Sequence, residues 1–251
     1  MPLNRPLFVL ACVAAVLAVV VELALGSALG GAAAGPLSPG AGGLTDVSPL
    51  TLAAVQAQTP PGAGIRHLAL LDGLLCFALA VVGAGALGSQ RATARVQGIV
   101  TLVVSFFWLL GALVAAVLAF VQLLVMVGLF VAAPFGTIAY LAIWGFFPVG
   151  SAATLLGLLL LLKMVMLGLL LAAQPKFLEV KGLMTLIALS VVLQLVLGLL
   201  HGWLPRPVVA IGDQLWALVT AIVALVWALI MLITSIPAVL RAIRVSAARR
   251  Q

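Results

Sequence analysis

Charged residues are scarce in this sequence of 251 residues. Only 7% are Asp, Glu, Lys or Arg and 66% are apolar, whereas about a quarter of the residues in a soluble domain are charged. The apolar runs between charged positions repeatedly exceed the roughly 20 residues that a helix needs to cross a bilayer. This composition excludes an ordinary soluble domain and predicts a protein that crosses a membrane several times.

The apolar runs also lack the alternation of a membrane β-barrel. Leu-rich stretches such as LLLLLKMVMLGLLL at 158–171 have no period-two pattern, and only helices or closed barrels satisfy their backbone polar groups in lipid. We therefore predict an all-α polytopic membrane protein, with residues 1–251 forming a single transmembrane domain of about six helices. The predicted spans are 7–30, 67–88, 98–121, 149–173, 183–203 and 214–238.

Acids, histidines and cysteines are equally few: five, two and two residues. The sequence contains no phosphate-binding Gly-Lys loop, paired zinc ligands, nucleophile elbow or c-type haem attachment sequence. His67 and His201 match no ligand spacing, and we expect both at helix ends on the outer side. Cys12 and Cys76 are expected at different depths without a disulfide. We therefore predict no catalytic activity, no metal and no cofactor.

Basic residues outnumber acids and give a net charge of +7. They flank the predicted spans, which indicates membrane orientation rather than a nucleic-acid partner. With both termini in the cytoplasm, only Arg66 and Arg206 lie outside and Lys163 lies within the membrane. The inner side then carries nine basic residues: Arg5, Arg91, Arg95, Lys176, Lys181, Arg241, Arg244, Arg249 and Arg250. This bias predicts a multi-pass protein of the cell inner (plasma) membrane, with both termini cytoplasmic.

The connectors differ in composition. Residues 31–66 are rich in Gly and Pro, which predicts a loosely ordered extracytoplasmic loop. Residues 241–251 are expected to form a basic cytoplasmic tail that approaches anionic lipid. Pro237 is expected to break or bend the last helix before that tail. The expected partners are the lipid bilayer, anionic lipid, and possible other membrane subunits or a second copy of the chain.

The segment 122–148 is apolar and contains two prolines. If it crossed the membrane, the later basic residues would change sides and the charge bias would weaken, so we expect it to start and finish on the outer side. One shape is a continuous helix from Gly98 to Ala133 followed by an interfacial segment. The other is a re-entrant hairpin that starts at Gln122. The candidate tip of that hairpin is Pro134, Phe135, Gly136 and Thr137.

Two similar stretches suggest an internal repeat. VQGIVTLV at 96–103 resembles VKGLMTLI at 180–187, and both would open a helix that runs from the inner to the outer side. This similarity is the basis for the hypothesis of a tandem duplication of helical hairpins.

Three charged residues are predicted within the spans. Lys163 lies about halfway along the fourth span, where an ionisable group costs roughly 2.5–3.5 kcal/mol and usually faces a partner or a cavity. Glu22 and Asp72 are expected in the outer half. Either acid could pair with Lys163, and Asp72 could instead lie near the headgroups beside the start of its helix. Lys163 could also snorkel toward the cytoplasmic face.

Two functional hypotheses follow from these residues. The first is an accessory, structural or assembly subunit in the membrane, in which the charges form structural pairs and apolar faces meet partner chains. The second is a permeation protein for a small solute or ion that uses the hairpin and Lys163 with Glu22 or Asp72. The low polarity of the chain argues against a wide aqueous pore and favours the first hypothesis.

Overall fold

Six α-helices make up nearly all of the described chain. The computed structural model describes residues 3–32, 62–87, 91–132, 150–204 and 206–248. The helices are α1 (Arg5–Ala32), α2 (Ala63–Leu87), α3 (Arg91–Ala132), α4 (Gly150–Ala173), α5 (Lys181–Trp203) and α6 (Arg206–Ala248). A 3₁₀-helix (Pro175–Glu179) joins α4 to α5. Each α-helix contains a stretch long and apolar enough to cross a membrane, which confirms the predicted six-helix membrane fold.

The helices alternate in direction, so the bundle has two ends. At one end, Asn4 N–H donates to Ala173 O at 3.0 Å, and the side chain of Gln97 donates to Val81 O at 2.6 Å. This terminal end therefore holds the starts of α1 and α3 and the ends of α2 and α4. At the distal end, Gly62 N–H donates to Asp213 Oδ2 at 2.9 Å, which joins the starts of α2 and α6.

Helix α2 occupies the centre of the bundle and packs against α1, α3, α5 and α6. Around it, α1 packs on α4, α4 on α5, α5 on α6, and α6 along α3. The α3–α6 contact is the most extensive, and small residues line it. The fully buried alanines are Ala112 and Ala119 of α3 and Ala217, Ala221, Ala224 and Ala228 of α6. Because these side chains are short, the two helix backbones can approach closely without a hydrophobic driving force between them.

Two predicted helix limits need correction. Helix α2 begins at Ala63, so Ala63–Arg66 are helical rather than part of the predicted loop, because Asp213 binds the backbone N–H that precedes the helix. Helix α6 continues through Pro237 to Ala248, so Pro237 does not break it and residues 241–248 are helical. Membrane helices tolerate proline because neighbouring groups and small local adjustments compensate the lost hydrogen bond, and the Pro237 ring is exposed. Residues 33–61 of the predicted loop lie outside the described residues.

The segment 122–148 divides into two parts. Residues 122–132 continue α3 without interruption, and Gln122 is bound to Gln214 of α6, so the long helix replaces the hairpin that would start at Gln122. At 42 residues, α3 is about 63 Å long and must tilt or project beyond a ~30 Å hydrocarbon core. The rest of the segment, including the predicted tip at 134–137, lies outside the described residues.

Gly64 offers a direct test of packing at the distal end. A Cβ at this position would lie 2.7 Å from Asp213 Oδ1 and 2.8 Å from Leu197 Cδ1, whereas a Cβ at Gly157 has no described neighbour within 4 Å. We expect Gly64→Ala to lower the free energy of unfolding by about 1–3 kcal/mol because of overpacking. Gly157→Ala, the matched control in a helix, should cause no loss. Equal unfolding curves for the two variants in detergent micelles would contradict this close approach.

Candidate functional site

Lys163 lies at the centre of a cluster that joins four helices. Its ammonium Nζ is 2.9 Å from Glu22 Oε1 of α1 and also contacts Asp72 Oδ2 of α2. It donates to Ser190 Oγ of α5 at 3.0 Å, and the Ser190 hydroxyl in turn donates to Asp72 Oδ1. We call Glu22, Asp72, Lys163 and Ser190 the charge cluster.

The charge cluster is sealed from the surroundings of the bundle. The exposed fractions are 0% for Glu22, 2% for Asp72, 1% for Lys163 and 0% for Ser190. Buried apolar residues lie one turn before and one turn after each of the four. They are Ala18 and Leu25, Leu68 and Leu75, Leu159 and Met166, and Leu186 and Leu193. The ionic contacts are therefore made in a medium of low polarity, where an uncompensated charge is costly.

The charges in the cluster do not balance. Two carboxylates face one ammonium, which leaves a net charge of −1 when all three groups are ionised. In addition, Glu22 Oε2 is buried without a hydrogen-bond partner among the described residues. The cluster can therefore accept one proton or a small cation.

The structure brings together all three intramembrane charges that the sequence singled out. Glu22 and Asp72 both contact Lys163, although the sequence offered them as alternative partners. Asp72 is buried in the bundle rather than placed among the headgroups. The Lys163 ammonium is held by these acids and does not extend toward either end. The tip residues Pro134, Phe135, Gly136 and Thr137 cannot be related to the cluster, since they lie outside the described residues.

Sequence reasoning missed Ser190, the hydroxyl that links Lys163 to Asp72. The available signal was a polar stripe on α5: Ser190, Gln194 and His201 are spaced by four and seven residues and therefore share one helix face. All three are buried. Gln194 Nε2 donates to Leu156 O at 3.0 Å, while its Oε1 has no partner among the described residues. This stripe runs from the cluster to the distal end.

A second polar group closes the distal end. His201 Nε2 lies 3.2 Å from Asp213 Oδ1, while Asp213 Oδ2 accepts the Gly62 N–H, so that α6 caps the start of α2. His201 is 5% exposed and Asp213 2%. We call His201, Asp213 and Gly62 the distal latch. His201 is thus buried in the last turn of α5, whereas His67 donates from Nδ1 to Ala63 O of its own helix at 2.8 Å.

The terminal end contains a cleft. A cleft of about 300 Å³ lies between α2, α3 and α6, with polar lining from Gln97, Thr101, Thr234 and Ser235. Ser105 lies one turn deeper than Thr101 on α3. It is fully buried, and its hydroxyl has no partner among the described residues. Gln97, Thr101 and Ser105 are spaced by four residues, so this face of α3 carries polar groups from the cleft into the bundle.

Other ligand chemistry finds little support in the described part of the chain. No group of three or more His, Cys, Asp or Glu residues there is arranged to hold a metal ion. Cys12 and Cys76 are free and partly buried. The chemistry available is therefore that of two carboxyl groups, one ammonium and the hydroxyl that links them.

No known protein indicates a function for this chain, so its function is inferred from the charge cluster. In comparisons with family models, curated proteins and solved structures, the chain matches none of them significantly.

Proposed function

We propose that this protein is a permeation protein of the carrier type, which moves a small solute or ion and exchanges a proton at the charge cluster. The observation that carries the proposal is the pairing of two carboxylates with one ammonium in a sealed site. Ionisable residues inside membrane proteins commonly mark ion pathways and proton relays.

The charge imbalance favours exchange over a purely structural pair. A structural ion pair is most stable when its charges cancel, because each ion pays a large desolvation cost. In this cluster Asp72 is held by both Lys163 and Ser190, whereas Glu22 contacts Lys163 and, unfavourably, the like-charged Asp72. Glu22 is therefore the group that takes up and releases the proton or cation, and Asp72 and Ser190 position Lys163.

Buried polar groups also lie toward both ends of the bundle. On the terminal side, Gln97, Thr101 and Ser105 extend the cleft into the bundle. On the distal side, Gln194 lies between Ser190 and the latch residue His201. In the proposed carrier these two polar faces supply hydrogen-bonding positions, which suits a proton or small solute better than a wide aqueous channel.

Orientation and lipid contact belong to the same proposal. The terminal end lies on the cytoplasmic side of the plasma membrane, because it carries the basic residues Arg91, Arg95, Lys176 and Lys181. The last turns of α6, with Arg241 and Arg244, extend from that end. We propose that they meet anionic lipid, which attracts juxtamembrane basic residues by about 1 kcal/mol each.

A second candidate function is an accessory or assembly subunit. The complete burial of the charge cluster supports this role, because a sealed set of ion pairs can also serve to hold helices together. In that role the exposed apolar face of α3, with Phe106, Phe107 and Leu110, would meet other membrane subunits or a second copy of the chain.

Proton exchange can be measured without knowing the solute. We expect the purified protein at neutral pH to show the infrared C=O band of a protonated buried carboxyl group, and Glu22→Gln to remove it. Glu179→Gln is the matched control, because Glu179 is exposed on the 3₁₀-helix. In vesicles that contain a pH-sensitive dye, an imposed potential should drive proton uptake with the native chain and the control but not with Glu22→Gln.

The same experiment separates the two candidates. A native protein with no protonated carboxyl band, and with proton uptake equal to that of protein-free vesicles, would sink the carrier proposal and support the accessory role. A band that persists in Glu22→Gln and disappears in Asp72→Asn would move the exchanging role from Glu22 to Asp72.

A further inference from the structure

The two halves of the chain repeat one order of helix lengths. Helices α1, α2 and α3 contain 28, 25 and 42 residues, and α4, α5 and α6 contain 24, 23 and 43. Each half therefore has two helices of ordinary membrane length followed by a very long one. Because each half has an odd number of helices, the second half crosses the bundle in the opposite direction to the first.

Helices with the same place in the two halves pack against each other. The pairs are α1 with α4, α2 with α5, and α3 with α6. A two-fold rotation that exchanges the halves converts each of these pairs into itself. It also relates the α1–α2 contact to the α4–α5 contact. The packing departs from this symmetry where α2 contacts α6, because α5 makes no comparable contact with α3 among the described residues.

The charge cluster follows the same symmetry. Asp72 is the tenth residue of α2, and Ser190 is the tenth residue of α5. Glu22 and Lys163 occupy the paired helices α1 and α4. All four residues are in mutual contact through Lys163 and Ser190. Asp72 and Ser190 thus meet at equal positions of paired helices, as residues beside a two-fold axis would, whereas Glu22 is the eighteenth residue of α1 and Lys163 the fourteenth of α4.

Two tryptophans repeat one contact in both halves. Trp108 of α3 donates its indole N–H to Leu70 O of α2 at 3.2 Å. Trp216 of α6 donates to Leu193 O of α5 at 2.9 Å. In each half, the long third helix is thus bound to the backbone of the second helix by an indole. The two contacts share their chemistry and their order of helices but not their positions, since Trp108 is the eighteenth residue of α3 and Trp216 is the eleventh of α6.

The two ends of the bundle are related regions with different contacts among the described residues. The terminal cleft lies between the end of α2, the start of α3 and the end of α6. Its two-fold counterpart lies between the end of α5, the start of α6 and the end of α3. In that counterpart His201 contacts Asp213, and Gln214 donates to Gln122 Oε1 at 3.0 Å.

We infer that the chain is an inverted repeat of two three-helix units, and that these units expose the charge cluster alternately at the two ends. This repeat pairs α3 with α6 and therefore differs from the tandem duplication of hairpins, in which the start of α3 would correspond to the start of α5. Inverted repeats in transporters place the binding site near the midplane at the repeat interface, which is where the cluster lies. The alternating exposure rests on the proposed function. The structure then represents a state in which the distal latch is formed and a cleft lies at the terminal end, and in the symmetry-related state the latch is broken.

Reciprocal thiol labelling tests the alternation. Thr101→Cys reports on the terminal cleft and Ala119→Cys on the distal end of α3, each in a background without Cys12 and Cys76. We expect His201→Ala, which weakens the latch, to speed labelling at position 119 and to slow it at position 101. His67→Ala is the matched control and should change neither rate. Faster labelling at 119 with an unchanged rate at 101 would mean local loosening and would overturn alternation.

Exchange of the cluster residues tests the repeat itself. We expect Glu22→Lys alone and Lys163→Glu alone to lose the folded protein. A four-residue variant combines Glu22→Lys and Lys163→Glu with Asp72→Ser and Ser190→Asp. It places each member of the cluster on the two-fold related helix, and we expect it to restore folding. A four-residue variant no more stable than the single variants would overturn the repeat. Both experiments use thermal stability or labelling as the readout, so a failure of proton uptake affects the proposed function alone.

Discussion

Replacing Lys163 by methionine is expected to lower the free energy of unfolding by about 3–5 kcal/mol, because the change leaves a buried charge uncompensated. Methionine preserves most of the side-chain length, so the loss reports on charge rather than on a large cavity. In the native chain the ammonium contacts both Glu22 and Asp72. Without it, the two carboxylates face each other in an apolar site.

The loss of stability caused by Lys163→Met should depend on pH. Protons neutralise the two unpaired carboxylates, so the difference between Lys163→Met and the native chain should shrink as pH falls and grow as pH rises. Adding Glu22→Gln and Asp72→Asn to Lys163→Met removes the unpaired charge and should recover most of the stability. Unfolding curves in micelles at several pH values provide the measurement.

Lys176→Met is the control for this experiment, since Lys176 is an exposed lysine on the 3₁₀-helix. It should change stability little at any pH. If Lys163→Met were as mild as Lys176→Met, the charge cluster would not contribute to holding α1, α2, α4 and α5 together.

Removal of the Asp213 carboxylate is expected to have the second large effect. Asp213→Ala leaves two buried donors, Gly62 N–H and His201 Nε2, without their acceptor, at about 1–3 kcal/mol for each donor. Asp213→Asn should lose less, because the amide oxygen can still accept the Gly62 N–H. The start of α2 should also exchange its backbone protons faster in Asp213→Ala.

A double-mutant cycle with His201 separates the two contacts. His201→Ala removes only the contact to Asp213 Oδ1, so its effect should be smaller than that of Asp213→Ala and should not add fully to it. Glu179→Ala, at an exposed acid, is the control for loss of an acid. Fully additive effects of His201→Ala and Asp213→Ala would mean that the two residues do not interact.

The number of helices was predictable because it depends on apolar length. Each helix carries a span of at least 20 residues with high hydropathy, and in lipid the backbone has no other way to satisfy its hydrogen bonds. The helix limits were less predictable. The start of α2 at Ala63 and the passage of α6 through Pro237 depend on contacts with other helices and on which side of a helix faces outward.

The charged members of the candidate site could be named from the sequence, but their arrangement could not. Lys163, Glu22 and Asp72 attract attention because ionisable groups are costly inside a membrane. Which acid pairs with Lys163 depends on how α1 and α2 are rotated and placed beside α4, and apolar sequences of similar composition leave that open. Ser190 escaped notice because a serine in a membrane helix usually needs no explanation.

By itself, then, the sequence determined the class of protein: an all-helical membrane protein with three charges inside its spans. Hydrophobicity and helix length decide this, and both are local properties of the chain. Only the tertiary structure decided that both acids share one lysine, that Ser190 joins them and that Asp213 holds the start of α2. It also decided that each helix of the first half packs on its counterpart in the second. These features depend on helix rotation and packing, which join residues more than a hundred positions apart.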